Sequence, residues 1–241
     1  MKMATINFPP SVKKGIESIK RGELVLIYDA EDREGETDFV LPASFMTPKR
    51  VAYFRTEAGG LICVAIHPLA AEKLGLPLMS DILRNVNANY AYLRRIVEEK
   101  GDLLYDKRSS FSLWVNHRET FTGITDRDRA LTIRKIGEAV ERVLNGNENY
   151  NFYAEFRTPG HVSLLRAADR LLDERRGQTE LSVALAVLAG IPPAMVICEM
   201  LDSESGGAVS KAKARAFASN HDLVFMEGKE IVEAFHACAS S

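Results

Sequence analysis

The chain has 241 residues, room for one large domain or two small ones, and a 46% hydrophobic content that supports a substantial buried core. Its 31 basic and 33 acidic side chains leave a formal charge of −2, so no basic footprint argues for nucleic-acid binding. Cys63, Cys198 and Cys238 are odd in number and widely spaced, which argues against zinc or disulfide frameworks and for reduced thiols in a cytoplasmic protein. Residues 1–10 lack the apolar core of a secretion signal. The longest apolar stretch, 181–198, is broken by Ser182, Gly190, Pro192 and Pro193. It reads as a buried helix followed by a strand rather than a membrane span.

Val12, Ile16 and Ile19 have helical spacing, and that helix closes near Gly22. A strand over 24–28 and another starting at Phe39 flank a bend of extreme acidity. Thr47-Pro48 is a cap and first turn for a helix running towards Ala58. After Gly59-Gly60, residues 61–66 form a continuous apolar strand. His67-Pro68 opens a short helix that ends at Gly75. A helix is expected over 85–100 with Tyr92, Ile96 and Val97 as its apolar face, then a polar loop over 101–110 and a strand over 111–115. Thr125 and Asp128 have capping-box spacing for a helix carrying Leu131, Ile136, Val140, Val143 and Leu144. Residues 145–151 are the best linker in the chain, read as a surface loop. Later come a strand over 162–165, a helix over 181–188 capped by Thr179, a strand over 194–198, a helix over 210–219, a strand over 223–226 and a terminal helix over 229–237. About seven strands interleaved with helices, some joined by loops too short for a crossover, predict an α+β fold with a mixed sheet and one domain over 1–241.

The acidic bend reads Asp29-Ala30-Glu31-Asp32-Arg33-Glu34-Gly35-Glu36-Thr37-Asp38. Crowded carboxylates repel unless something positive sits among them. Arg33 is one such charge, and a divalent cation with a taste for hard oxygen is the natural second. A solvated acidic hairpin loop is the competing reading. Further on, Arg175-Arg176-Gly177-Gln178-Thr179-Glu180 offers a glycine at a helix start, guanidinium groups and a hydroxyl, which suits a phosphate cradle. An ordinary exposed turn has the same composition. His161, held after Pro159-Gly160, is either an acid–base group or a structural histidine. Glu199, at the end of an apolar strand, suits a site mouth or a lysine partner. Cys63 in an apolar strand is ordinary packing. His67, His117, His221 and His236 read as surface or capping residues, and Asp126 to Arg129 as a solvated helix start.

The acidic bend, Gly59-Gly60-Leu61-Ile62-Cys63, Phe121-Thr122-Gly123-Ile124-Thr125-Asp126, Arg157-Thr158-Pro159-Gly160-His161-Val162, the run from Arg175 to Glu180, and Cys198-Glu199 occur in that order across nearly the whole chain. Together they resemble the 3,4-dihydroxy-2-butanone 4-phosphate synthase family of riboflavin biosynthesis. The resemblance implies a mixed sheet with helices on both faces. It also implies a magnesium-dependent, manganese-tolerant lyase that turns D-ribulose 5-phosphate into L-3,4-dihydroxy-2-butanone 4-phosphate and formate. It casts Glu34 as a metal ligand. Arg33, Glu34, Asp38, Thr122, Arg175, Arg176, Gly177, Gln178, Thr179 and Glu199 become substrate contacts, and His161, Glu199, Asp29 and Cys63 catalytic groups. Glu36 is an additional metal or hydroxyl contact, while Glu31 and Asp32 face water. The family His161 acts across a homodimer interface. One position departs from the pattern: Gln178 stands where the family has a metal-binding histidine. A carboxamide oxygen is an acceptable magnesium ligand, so Gln178 is retained as one. The alternative is an impaired or non-catalytic paralogue that binds a sugar phosphate. A metal-dependent isomerase or aldolase is a further alternative. The Gly35 turn suggests an acidic loop that closes over substrate.

Overall fold

A computed structural model describes residues 8–147 and 149–239. Residues 1–7 of the stretch read as lacking a secretion signal, and Glu148 of the expected linker, lie outside the described residues. Among those described, the chain runs α1 (Pro10–Lys20), β1 (Val25–Tyr28), β2 (Thr37–Pro42), α2 (Pro48–Glu57), β3 (Cys63–Ile66), α3 (Pro68–Lys73) and α4 (Met79–Arg84). It continues through β4 (Phe111–His117), α5 (Asp126–Leu144), α6 (Phe152–Glu155), β5 (Phe156–Arg166), α7 (Gln178–Ala189), β6 (Ala194–Glu199), α8 (Lys211–Asn220), β7 (Val224–Glu227) and α9 (Gly228–Ala239).

The strands form one mixed sheet in the order β4-β5-β3-β6-β2-β1-β7. β1 pairs with β7, and β3 with β5, in parallel; β1–β2, β2–β6, β3–β6 and β4–β5 are antiparallel. β1, β2 and β3 are buried along their whole length, because helices cover both faces of the sheet. Side-chain alternation divides them between two apolar clusters. Leu26, Phe39, Leu41 and Val64 pack with α2, α3 and α5, and Phe39 meets the rings of Tyr53, Phe54 and Phe217. Val25, Ile27, Val40 and Ile197 pack with α1, α7 and α9. Truncating a fully buried side chain such as Ile27 to alanine costs about 2–5 kcal/mol.

Caps follow the sequence at Thr47, whose side chain accepts from the Arg50 amide, and at Thr125, which accepts from the Asp128 amide. Elsewhere the structure corrects the reading. The expected helix over 85–100 is a kinked 3-10 stretch, Ala88–Ile96, with no buried residue. Tyr92 and Ile96 are 63% and 73% exposed, so only Val97 of the supposed apolar face is buried. Without a core to pack on, periodicity there had nothing to stabilise a helix. α4 and α6 are short helices that the sequence reading missed. β5 extends well upstream of Val162, across Pro159 and Gly160. Gly160 lies flush on the β4 backbone, where a Cβ would collide with Val115 and Asn116. Gly177, not Thr179, caps α7. No helix among the described residues is long and apolar enough to cross a membrane.

Candidate active site

Strand register brings the acids together. Asp38 of β2 stands directly opposite Glu199 of β6, and Val40 opposite Ile197. These four side chains share the face covered by α7. Two carboxylates directly opposite on one face repel. Asp38 is fully buried, and both its oxygens lack a hydrogen-bond partner. Burial first, then the charge of Glu199, holds its carboxyl well above the usual carboxylate range. Burial also raises Glu199 and, with help from Glu199, raises Glu36. Glu34 is pushed up to about 7, mainly by burial, with Asp29 and Glu36 reinforcing and Arg175 opposing.

These groups edge a cavity of about 230 Å³, lined among others by Glu34, Cys63, Arg175, Gln178, Thr179 and Glu199. Glu34 and Thr179, 145 positions apart in sequence (179 less 34), thus meet on one wall. A shallower depression shares Glu34 and Glu199 and adds Arg33 and Glu36. The first turn of α7 supplies Gln178 and Thr179, so a helix N-terminus faces the cavity.

Gln178 is oriented by its surroundings. Its amide nitrogen donates to the carbonyls of Ile27 (3.0 Å) and Glu36 (3.1 Å). Two carbonyl acceptors require the NH₂ end, which fixes the flip of the carboxamide. Its oxygen is left buried and without a partner. Among the described residues, no group of three His, Cys, Asp or Glu side chains is gathered so as to hold a metal unaided. The orphaned oxygens of Asp38 and Gln178, beside carboxylates strained by mutual repulsion, nevertheless fit a small hard cation.

Other expected residues have partners within the chain. Asp29, expected as catalytic, is buried, and its two oxygens accept the amides of Glu34 and Glu36, each at 3.0 Å. It shapes the bend. The expected mobile loop is tethered further by Arg33–Asp106 (2.7 Å), Arg176–Asp32 (3.2 Å) and Lys211–Glu31 (2.9 Å). Arg176, expected at the substrate, is therefore on the outer surface with Asp32, which is itself exposed but paired. The Cys63 thiol, expected as catalytic, lines the cavity, and burial first, then the charge of Glu199, push it far up. Gly177 abuts the Arg175 guanidinium so closely that a Cβ would collide with it.

Thr122 and His161 do not line the cavity. Thr122 lies in an exposed loop held by Asp128, which accepts its amide at 3.1 Å. His161 is exposed, and Asn116 positions it: the Asn116 oxygen accepts the His161 amide (2.9 Å), and the Asn116 side-chain nitrogen lies 3.1 Å from the His161 Nδ1. Sequence reasoning missed Asn116, whose residue type carries no signal. It also read 101–110 only as polar loop. That segment supplies Tyr105, Asp106, Arg108, Ser109 and Ser110 to the site. The signal available was a Lys-Arg-Ser-Ser run just before a strand.

A family model for 3,4-dihydroxy-2-butanone 4-phosphate synthase matches residues 13–234. Proteins of that name from Methanosarcina mazei and Archaeoglobus fulgidus are each 57% identical to this chain. The first comparison covers 93% of this chain and 91% of the relative; the second covers 92% of both. Among solved structures, the synthase of Candida albicans superposes with a TM-score of 0.72 at 29% identity, over 94% of this chain and 98% of that one. A synthase in complex with two magnesium ions gives 0.73 at 28% identity, over 91% and 94%.

Proposed function

The chain belongs to the 3,4-dihydroxy-2-butanone 4-phosphate synthase family, lyases of riboflavin biosynthesis, and from that premise we propose that it converts D-ribulose 5-phosphate to L-3,4-dihydroxy-2-butanone 4-phosphate and formate. The observation that carries this reading is the cavity where Glu34, Glu199, and the adjacent Gln178 and Thr179 converge from three separate stretches of chain. Glu34 and the Gln178 oxygen would hold magnesium, with manganese as a substitute. The bound ion would act as a Lewis acid on the sugar's ketone.

Glu34 and Glu199, raised by burial, sit closer to neutrality than a solvent-exposed carboxylate and suit removal and return of a proton beside that ketone. Arg175 is held by Asp106 (2.6 Å) and Glu180 (2.6 Å) and stiffens the wall below Thr179. Asp29 fixes the bend that carries Glu34, and Cys63 gives the floor its shape. The chain works in the cytoplasm as one domain over 1–241, a reading supported by its single sheet. The active unit is a homodimer with the site near the interface. Trp114, Phe121 and Ile124 are 50%, 93% and 51% exposed on the side of the molecule that carries His161. That apolar surface supports burial against a second copy, which would deliver His161 and Thr122 to the neighbouring cavity.

The test is incubation with ribulose 5-phosphate and magnesium, followed by a formate assay. Formate should appear and should stop when the metal is chelated. Sugar conversion without formate would assign an isomerase or aldolase. Binding without any conversion would assign a non-catalytic paralogue, with Gln178 as its mark.

A further inference from the structure

The pairing of β4 with β5 changes register at one step. Val115 pairs with Val162 but Asn116 with Arg157, so residues 158–161 are extra on the β5 side. The Thr158 hydroxyl donates to the Trp114 carbonyl (2.8 Å) and pins the start of this excursion. Asn116, wholly buried, pins its end at His161. The Asn116 amide is wedged against Gly123, where a Cβ would collide with it. The wedge fixes more than position. The His161 backbone N–H can only donate, so the atom it reaches at 2.9 Å is the Asn116 carboxamide oxygen. The NH₂ end of the same amide then lies 3.1 Å from Nδ1 of the His161 ring. An NH₂ group also only donates, so Nδ1 accepts and carries no proton. A proton at Nδ1 would set two donors face to face. Turning the amide over would set its NH₂ against the His161 backbone N–H instead. The ring's proton therefore sits on Nε2, on the far side from Asn116.

We propose that Asn116 is a positioning residue that locks His161 as a hydrogen-bond donor through Nε2–H, and that this donor meets a substrate oxygen on which negative charge develops. The second half rests on the reading above that His161 works in the cavity of a neighbouring copy. It gives His161 the part of a neutral electrophile and not of a base. With Nε2 protonated and Nδ1 engaged by Asn116, the ring offers no free lone pair with which to take a proton from carbon. That task falls to the carboxylates of Glu34 and Glu199. A donor held in place before reaction stabilises a developing oxyanion without the cost of turning to face it.

The test is NMR of the full-length protein labelled with nitrogen-15 at histidine, at about pH 8.5, where an ordinary imidazole carries one proton. The His161 signals are identified by their loss in His161→Ala. In the wild type, Nδ1 should resonate as an acceptor and Nε2 as an N–H. Asn116→Asp keeps the size of the side chain, and its carboxylate accepts both the backbone N–H and a proton on Nδ1, so the pattern should reverse. Asn116→Ala removes the lock, and the two nitrogens should average. His67, whose Nδ1 accepts the Leu69 amide, should keep one pattern throughout and report an intact fold. A wild-type ring protonated on Nδ1, or an unchanged pattern in Asn116→Asp, would overturn the lock. In the formate assay at the same pH, Asn116→Asp should lose about 100-fold in kcat with KM nearly unchanged, as for removal of one preorganised donor. A reversed ring with unchanged kcat would overturn the donor role. A wild type that makes no formate would sink the lyase reading and the donor role with it, while the ring pattern would still decide the lock.

Discussion

Glu34 shows how a single side chain is tuned by its setting. Its folded value of about 7 lies above the ordinary 4.5, mainly because burial disfavours the charge. The metal-free fold therefore holds this proton more tightly than the unfolded chain does. The stability it contributes is whole below the ordinary value and is lost as pH rises through about 7. Glu34→Gln cannot ionise and escapes that loss. Metal-free Glu34→Gln should melt a few degrees above wild type at pH 8, since about 1 kcal/mol moves a melt of this chain length by about 2–4 °C. The gap should close towards pH 4.5. Equal melting at pH 8 would mean that burial does not strain this carboxylate. Gln178 is the complementary case. Its residue type announced only a departure from the family pattern. Its two bonds to backbone carbonyls decide which end faces the acids.

At the level of elements, α7 is the part on which the site depends. Its sequence is apolar nearly all round, as befits a helix buried on every side, and ten of its residues are buried. Its cap had to be Gly177, because the guanidinium of Arg175 occupies the space a side chain would fill. Ion pairs on two sides stop that guanidinium from moving aside. Gly177→Ala should therefore displace Arg175 and the first turn of α7. The expected result is a several-fold rise in KM for ribulose 5-phosphate; an unchanged KM would show that the wall yields freely. Strands β1, β2, β3 and β6 were legible because β-branched and apolar runs at strand length have few other places to go. The 3-10 stretch Ala88–Ile96 was misread because its spacing looked helical while no neighbouring surface accepted an apolar face.

On the scale of the whole molecule, the cavity and His161 lie apart within one chain, and two copies offer the way to reunite them. Inactive Glu34→Gln and inactive His161→Ala proteins, mixed and allowed to exchange subunits, should regain formate production, because one of the two sites in each mixed dimer keeps both residues. Persistent inactivity in a sample shown to contain mixed dimers would place His161 outside the neighbour's site.

The order of motifs along the chain, the strands that carry Asp38 and Glu199, and the acid-rich bend were all determined by residue type and spacing, since local propensity and burial pattern act within a few residues. Which acids converge, which arginines are already neutralised, and which way Gln178 turns were decided by tertiary structure alone. Charges interact through space, and Asp106 reaches Arg33 and Arg175 across 73 and 69 positions of chain that no local pattern connects.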